Sequence, residues 1–216
     1  MKILVIAATS MEVALAAEEL KGVAPIQFHI TGVGMLATAV SLTKLALQHQ
    51  PTLVIQVGIA GAFDSSLPLG KVVAVSEEIL GDFGVEENGA WKDLFAMGFV
   101  QRDVAPFTNA RLVNSFLQDV NILHLPEVAA ITANEITTRP KRIAQLQELY
   151  IPSIESMEGA ALHYVCNDIG IPYIQLRGIS NYIGERDKSK WKIQEAITNL
   201  NQTLLDFVDM IQSGVE

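Results

Sequence analysis

Hydrophobic residues in this chain collect into short unbroken runs, separated by longer stretches where they recur every three or four positions. The short runs predict buried strands at residues 3–8, 26–30, 53–57, 71–75, 128–132 and 173–176. The helical spacing predicts helices from Thr9 or Ser10 to Lys21-Gly22, at 35–48, after Arg139-Pro140, at 160–169 and at about 192–211. The last is amphipathic, with Ile193, Ala196, Ile197, Leu200, Leu204 and Leu205 on one face. Pro51 closes the helix at 35–48, and Gly170-Ile171-Pro172 stops the one at 160–169. Strands alternate with helices, so the expected fold class is α/β: one three-layer α/β/α domain over residues 1–216 with a mixed, mostly parallel central sheet. Residues 81–106 carry Trp91, Phe95 and Phe99 among polar positions without a period, and are expected to form a lid or interface loop.

Ligands in such sheets sit beyond the carboxyl ends of the strands, which directs attention to the polar residues there. Glu12 lies where the first strand gives way to its helix. The stretch Gly58-Ile59-Ala60-Gly61-Ala62 reads as a turn whose small side chains let backbone N–H groups approach a ligand. Asn134, Glu135 and Ile136 leave the strand at 128–132. The segment from Glu155 to Trp191 delivers Ser156, Met157 and Glu158 at a helix start, then Arg177, Ser180 and Asn181 at and just past a strand end. Each has a bland explanation when taken alone. A first-turn glutamate suits the helix dipole, an arginine can serve a structural ion pair, and an asparagine is a turn former.

Composition narrows the possibilities. The chain is 50% hydrophobic and 18% charged, enough apolar material for a large core or an oligomer interface. A net charge of -9 opposes a nucleic-acid partner, which requires a basic face. The single cysteine, Cys166, falls mid-helix and reads as a buried hydrophobe. The first apolar run is too short for a signal peptide before Glu12 arrives, and no run approaches the roughly 18 residues of a membrane span. A cytoplasmic protein without membrane contact is therefore expected. Gly32-Val33-Gly34 lacks the third glycine of a dinucleotide fingerprint, there is no phosphate loop, and the histidines have no metal-ligand spacing. No cofactor and no metal are expected. The serines lack the flanking glycines of a nucleophile elbow, leaving carboxylate, amide and guanidinium groups to carry any chemistry.

Those groups resemble the nucleoside phosphorylase and nucleosidase superfamily, especially its methylthioadenosine/adenosylhomocysteine nucleosidases. Met11-Glu12, Gly58-Ile59-Ala60-Gly61, Ser156-Met157-Glu158-Gly159-Ala160-Ala161 and Arg177-Gly178-Ile179-Ser180-Asn181 occur in that family's order and spacing. The ending Arg177 to Asp187, with Trp191 soon after, is similar to the futalosine hydrolases of menaquinone biosynthesis. The resemblance implies a nucleoside phosphorylase-like fold, a small purine nucleoside as substrate, and a homodimer or assembly of dimers.

It also implies roles. Glu158 would accept hydrogen bonds from ribose hydroxyls and stabilise an oxocarbenium-like sugar, with Met157 packed against that ribose. Glu12 would activate water, helped by Arg177. Ile136 stands where the family has a base-stacking aromatic, Ala60 and Gly61 would line sugar or base, and Ile59 replaces a serine near the water. Asn181 departs from the aspartic acid that protonates adenine in methylthioadenosine nucleosidases; an amide cannot donate that proton, though it can hydrogen-bond either purine class. Where related phosphorylases carry an arginine-bearing loop, Ala8-Thr9-Ser10-Met11-Glu12 presents a carboxylate that repels phosphate. Arg186, flanked by Lys188 and Lys190, and Trp191 are candidates for the carboxylate-bearing 5′ group of futalosine; the alternative for Arg186 is a solvated loop charge.

Overall fold

The run Ile3–Ala7 forms the first strand, β1, and its alternate side chains enter different cores. Ile3, Val5 and Ala7 pack with Val13, Ala16, Leu200 and Phe207 on one side of the sheet, while Leu4 and Ile6 meet Leu42, Leu162 and Cys166 on the other. This computed structural model describes residues 2–214. After β1, a 3-10 turn at Ser10–Glu12 leads into the short α1, Ala14–Glu19. There follow β2 (Ile26–Ile30), α2 (Met35–His49), β3 (Leu53–Ala62), β4 (Val72–Leu80), β5 (Gly84–Glu87), β6 (Ala90–Asp93), β7 (Leu112–Val113) and α3 (Leu117–Val120). The chain continues through β8 (Glu127–Thr132), α4 (Pro140–Tyr150), β9 (Ile154–Ser156), α5 (Gly159–Ile169), β10 (Tyr173–Tyr182) and α6 (Ile193–Ser213). Helix boundaries follow the sequence signals: Pro140 occupies the first turn of α4, and Gly170 ends α5 in the left-handed conformation. No helix among the described residues is long and apolar enough to cross a membrane.

The protein is α/β with a mixed central sheet, as expected; what the expectation of a flat layer between helices lacked is that the sheet is partly closed, through antiparallel pairings of β10 with β4 and of β3 with β9. β2, β1, β3 and β10 run parallel in that order. β10 then pairs antiparallel with β4, β4 parallel with β8, β8 parallel with β9, and β9 antiparallel with the far end of β3. A ring of β3, β10, β4, β8 and β9 results, made possible by the length of β3. Its first half pairs with β1 as far as Val57, whereas Gly61 and Ala62 pair with β9. Small aliphatic residues from all five strands fill the ring, among them Ala60, Val73, Val75, Ala130, Ile154 and Ile179.

Three expectations change. The segment Gly58 to Ala62 is not a turn; it continues β3. Arg177 and Asn181 likewise lie within β10, which runs to Tyr182 instead of ending at residue 176. The small residues of β3 pair with larger ones on β10, Gly58 with Arg177, Ala60 with Ile179 and Gly61 with Asn181, and a Cβ on Gly58 or Gly61 would collide with Arg177 or Ile183. Residues 81–106 contain the β5–β6 hairpin, turned by Asn88 and Gly89, both with positive φ as a tight hairpin turn requires. Trp91 of that hairpin donates to the Tyr150 hydroxyl at 2.9 Å and carries the Arg142 guanidinium 3.8 Å above its ring.

Candidate active site

The carboxyl ends of β1, β3 and β10 meet the start of α5 around a cleft of about 260 Å³. Its position is the one that strand direction dictates. Glu12 enters from the 3-10 turn after β1 and is buried. Its carboxylate receives three hydrogen bonds: Oε2 from the Thr9 N–H and Thr9 hydroxyl, both at 3.0 Å, and Oε1 from the Ile59 N–H at 3.1 Å. The Thr-x-x-Glu spacing of Thr9 and Glu12 is a capping arrangement, so the same contacts that begin the turn also fix the carboxylate. Ile59 serves this site through its backbone, which makes the side chain at that position free to differ.

Glu158 occupies the N-cap position of α5. Its Oε1 accepts from the Gly34 N–H at 3.0 Å, and its Oε2 lies 3.5 Å from Arg177 Nη1. Arg177 is almost wholly buried, at 1% exposure, and does not line the cleft. It donates to Gln56 Oε1 at 3.1 Å and to the Ile59 carbonyl at 3.4 Å. Its guanidinium lies over Gly58, its register partner on β3; a side chain there would collide with Nη1 and come within 3.0 Å of Glu12 Oε1. Gly58 thus lets a buried cation sit under both carboxylates.

Below Arg177 lies a further buried carboxylate, Glu78 of β4. Its Oε2 accepts from the Thr132 hydroxyl and its Oε1 from Gln175, each at 2.9 Å. Thr132 Oγ1 in turn accepts the Ala160 N–H at 2.8 Å, linking the start of α5 to β4 and β10. Burial pushes the Glu78 carboxyl up to about 7 against the opposing pull of Gln175, Arg177 and Thr132. Burial also pushes His163 down to about 4, so it is neutral at physiological pH and its Nδ1–H donates to the Leu112 carbonyl at 2.9 Å.

On the opposite side, β10 carries an irregularity between Ile179 and Asn181 that aligns Asn181 with Gly61. Such a bulge re-aims a side chain. Asn181 Oδ1 accepts from the Ser180 hydroxyl at 2.8 Å and Nδ2 donates to the Tyr182 carbonyl at 3.1 Å, leaving one N–H for the cleft. Arg186 and Trp191 line one end, with the Arg186 guanidinium 5.4 Å from the Trp191 ring and the indole N–H donated to the Glu185 carbonyl. Lys190 turns to Glu185, at 2.7 Å, and does not line the cleft.

Of the residues expected from sequence, Glu12, Ile59, Ala60, Gly61, Ile136, Ser156, Met157, Glu158, Ser180, Asn181, Arg186 and Trp191 come together here. Asn134 and Glu135 do not: Asn134 donates its backbone and side-chain N–H groups to Asp82, and Glu135 pairs with Arg139 at 3.2 Å. The loop after β8 turns them outward while Ile136 faces the cleft. Ala8, Thr9, Met11, Val33, Glu155 and Ile183 also line it, beyond the residues expected to touch substrate. Thr9 is legible in the sequence as a helix cap, whereas Glu155 sits on β9, a three-residue strand with no legible period.

A model of the phosphorylase superfamily matches residues 2–209. The futalosine hydrolase of Thermus thermophilus is 30% identical over 177 residues, 79% of this chain and 75% of that protein. A 5′-methylthioadenosine/S-adenosylhomocysteine nucleosidase of a Marinomonas species is 27% identical over 181 residues, 81% of this chain and 76% of that one. Among solved structures, the nucleosidase of that type from Colwellia psychrerythraea in complex with adenine has the same fold, with a TM-score of 0.78 at 22% identity over 97% of this chain and 95% of that chain.

Proposed function

Because the chain belongs to the phosphorylase superfamily, we propose that it is an N-glycosidase that uses water to cleave a 6-oxopurine nucleoside, with futalosine as its substrate in menaquinone biosynthesis. The products are hypoxanthine and dehypoxanthine futalosine. The observation that carries this reading is the pair of fixed carboxylates, Glu12 and Glu158, in one cleft with the amide of Asn181. Glu12, held by three donors, keeps lone pairs to take a proton from water. That water attacks the anomeric carbon as the glycosidic bond breaks and its electron pair leaves with the base. Glu158 accepts the ribose hydroxyls and stabilises the positive charge developing on the sugar. Arg177 acts on both carboxylates from below as a positioning residue. The remaining Asn181 N–H donates to the purine and stabilises the departing base.

Water rather than phosphate as nucleophile is supported by Glu12, whose charge stands at the head of the cleft. The similarity to a futalosine hydrolase favours futalosine, and Arg186 beside Trp191 supplies a cation for its carboxylate. Met11, Val33 and Ile136 line the cleft and are each more than half exposed, which supports a second copy of the chain covering the mouth. The test is base release from futalosine, methylthioadenosine and inosine, each with and without phosphate. Cleavage of futalosine without phosphate is expected; methylthioadenosine as the preferred substrate overturns the substrate assignment, and a requirement for phosphate overturns the hydrolase.

A further inference from the structure

Glu155 is a carboxylate in the cleft that the mechanism above does not use. It lines the cleft at 7% exposure. Its Oε1 accepts the Thr137 N–H at 3.0 Å, and its Oε2 is buried without a hydrogen-bond partner. An unpartnered buried carboxylate oxygen is costly, and in a ligand cleft it is a group awaiting a donor. Burial holds the Glu155 carboxyl above its usual range, Thr137 opposes this, Asp82 adds to it, and Arg142 opposes it.

Register specifies what it stands beside. Gly61 pairs with Glu155 of β9 on one edge and with Asn181 of β10 on the other, so the three residues form one row across the sheet. Neighbours in such a row project to the same face, and strands lie about 4.8 Å apart, so the Cα atoms of Glu155 and Asn181 stand roughly 9 to 10 Å apart. Gly61 contributes no side chain between them; a Cβ there would come within 2.6 Å of Ile183 and 3.3 Å of Asn181 Nδ2. The result is a slot floored by the Ile183 side chain where it packs on Gly61, with an acceptor at one wall and an amide N–H at the other; Ile136 lines the same cleft, and its neighbour Thr137 holds the carboxylate.

We propose that Glu155 reads the leaving base, accepting the N1–H of a 6-oxopurine while Asn181 donates to the O6 and N7 side. This rests on the nucleoside-cleaving reading of the cleft and adds the residue that selects the base. A 6-oxopurine presents a donor at N1 and an acceptor at O6. Adenine presents the reverse, a bare acceptor at N1 and a donor at N6, and places its N1 lone pair against the carboxylate. A site built to receive a hydrogen bond rejects the analogue that lacks the donor.

The Thr137 N–H makes the test directional. In Glu155→Gln the amide oxygen takes the Thr137 contact, so the amide nitrogen replaces Oε2 and an acceptor becomes a donor. We expect the ratio of kcat/KM for futalosine to that for its 6-amino analogue to fall by roughly tenfold or more in this variant, because the buried hydrogen bond reverses its sense. An equal fall for both substrates overturns the proposal and makes Glu155 a support for the 136–137 loop alone. A measurement on the unmodified protein stands beside it: calorimetric titration with hypoxanthine, 1-methylhypoxanthine and adenine. Tenfold or weaker binding of the two bases without an N1–H supports the proposal, and equal binding of hypoxanthine and 1-methylhypoxanthine overturns it. If hypoxanthine is preferred but futalosine is not cleaved, base reading stands and the proposed reaction fails.

Discussion

The two sides of the cleft are built differently. On one side Glu12, Glu158 and Arg177 are tied to backbone groups and to each other: every carboxylate oxygen has a partner, and the guanidinium is buried. On the other side, Glu155 keeps an unpartnered oxygen, Asn181 a spare N–H, and Arg186 only an aromatic neighbour. The first arrangement suits groups that must already be oriented when charge develops, since fixed dipoles need not reorganise during reaction. The second suits recognition, where the ligand completes the hydrogen bonds. Under the proposed function, the difference separates contacts that hold reactive groups still from contacts that read the substrate.

Mutations should separate the two sides by kind as well as by size. Glu12→Gln keeps the shape but removes the base, so kcat should fall by roughly 10²- to 10⁴-fold with KM little changed; a steady-state comparison showing a KM effect alone would contradict the assignment. Arg177→Met leaves the buried Glu158 carboxylate uncompensated. It should cost about 3 to 5 kcal/mol of stability, read by denaturant unfolding, together with activity. Crossing to the recognition side, Arg186→Ala should raise KM for futalosine by about tenfold with kcat retained, the value of one charge-assisted contact. Inosine, lacking the 5′ carboxylate, should be unaffected, and an equal loss on both nucleosides would remove Arg186 from substrate binding.

A separate effect concerns pH and the polar layer beneath Arg177. Glu78 has its folded pKa raised to about 7 from 4.5, so its contribution is fully present below the unfolded value and is lost as pH rises toward 7. The full difference is on the order of 3 kcal/mol. His163 has its folded pKa lowered to about 4 from 6.5, so stability falls as pH drops through that window, and between 4.5 and 6.5 the two slopes oppose each other. Glu78→Gln removes one of them. Its stability, followed by thermal melting, should rise with pH between 4.5 and 6.5 more steeply than that of the unmodified protein; parallel curves would show that Glu78 does not hold its proton in the fold.

Much of the fixed side was legible in sequence, because its residues sit at element boundaries with local signals. Thr9-x-x-Glu12 is a capping pattern, and Glu158 precedes a helix that Gly170 ends. The recognition side was less legible because it depends on pairing between distant segments. Nothing near Glu155 marks a strand of three residues, and its alignment with Gly61 and Asn181 arises only when β9 takes over the edge of β3 that β1 leaves. The continuation of β3 through Gly58-Ile59-Ala60-Gly61 was hidden for a related reason: small residues read as a turn locally, yet the ring and the Arg177 guanidinium need them small. The β5–β6 hairpin did carry a signal in Asn88-Gly89.

Closure of the ring bears on how such a site diversifies. β10 is hydrogen-bonded on both edges, to β3 and to β4, so the strand bearing Arg177 and Asn181 cannot slide in register without breaking two ladders at once. The coordinates of the polypeptide backbone at the base slot are in that sense inherited and inflexible. New preferences in this architecture must come by exchanging the side chains at its two walls, as a lock is rekeyed by changing pins within an unchanged cylinder.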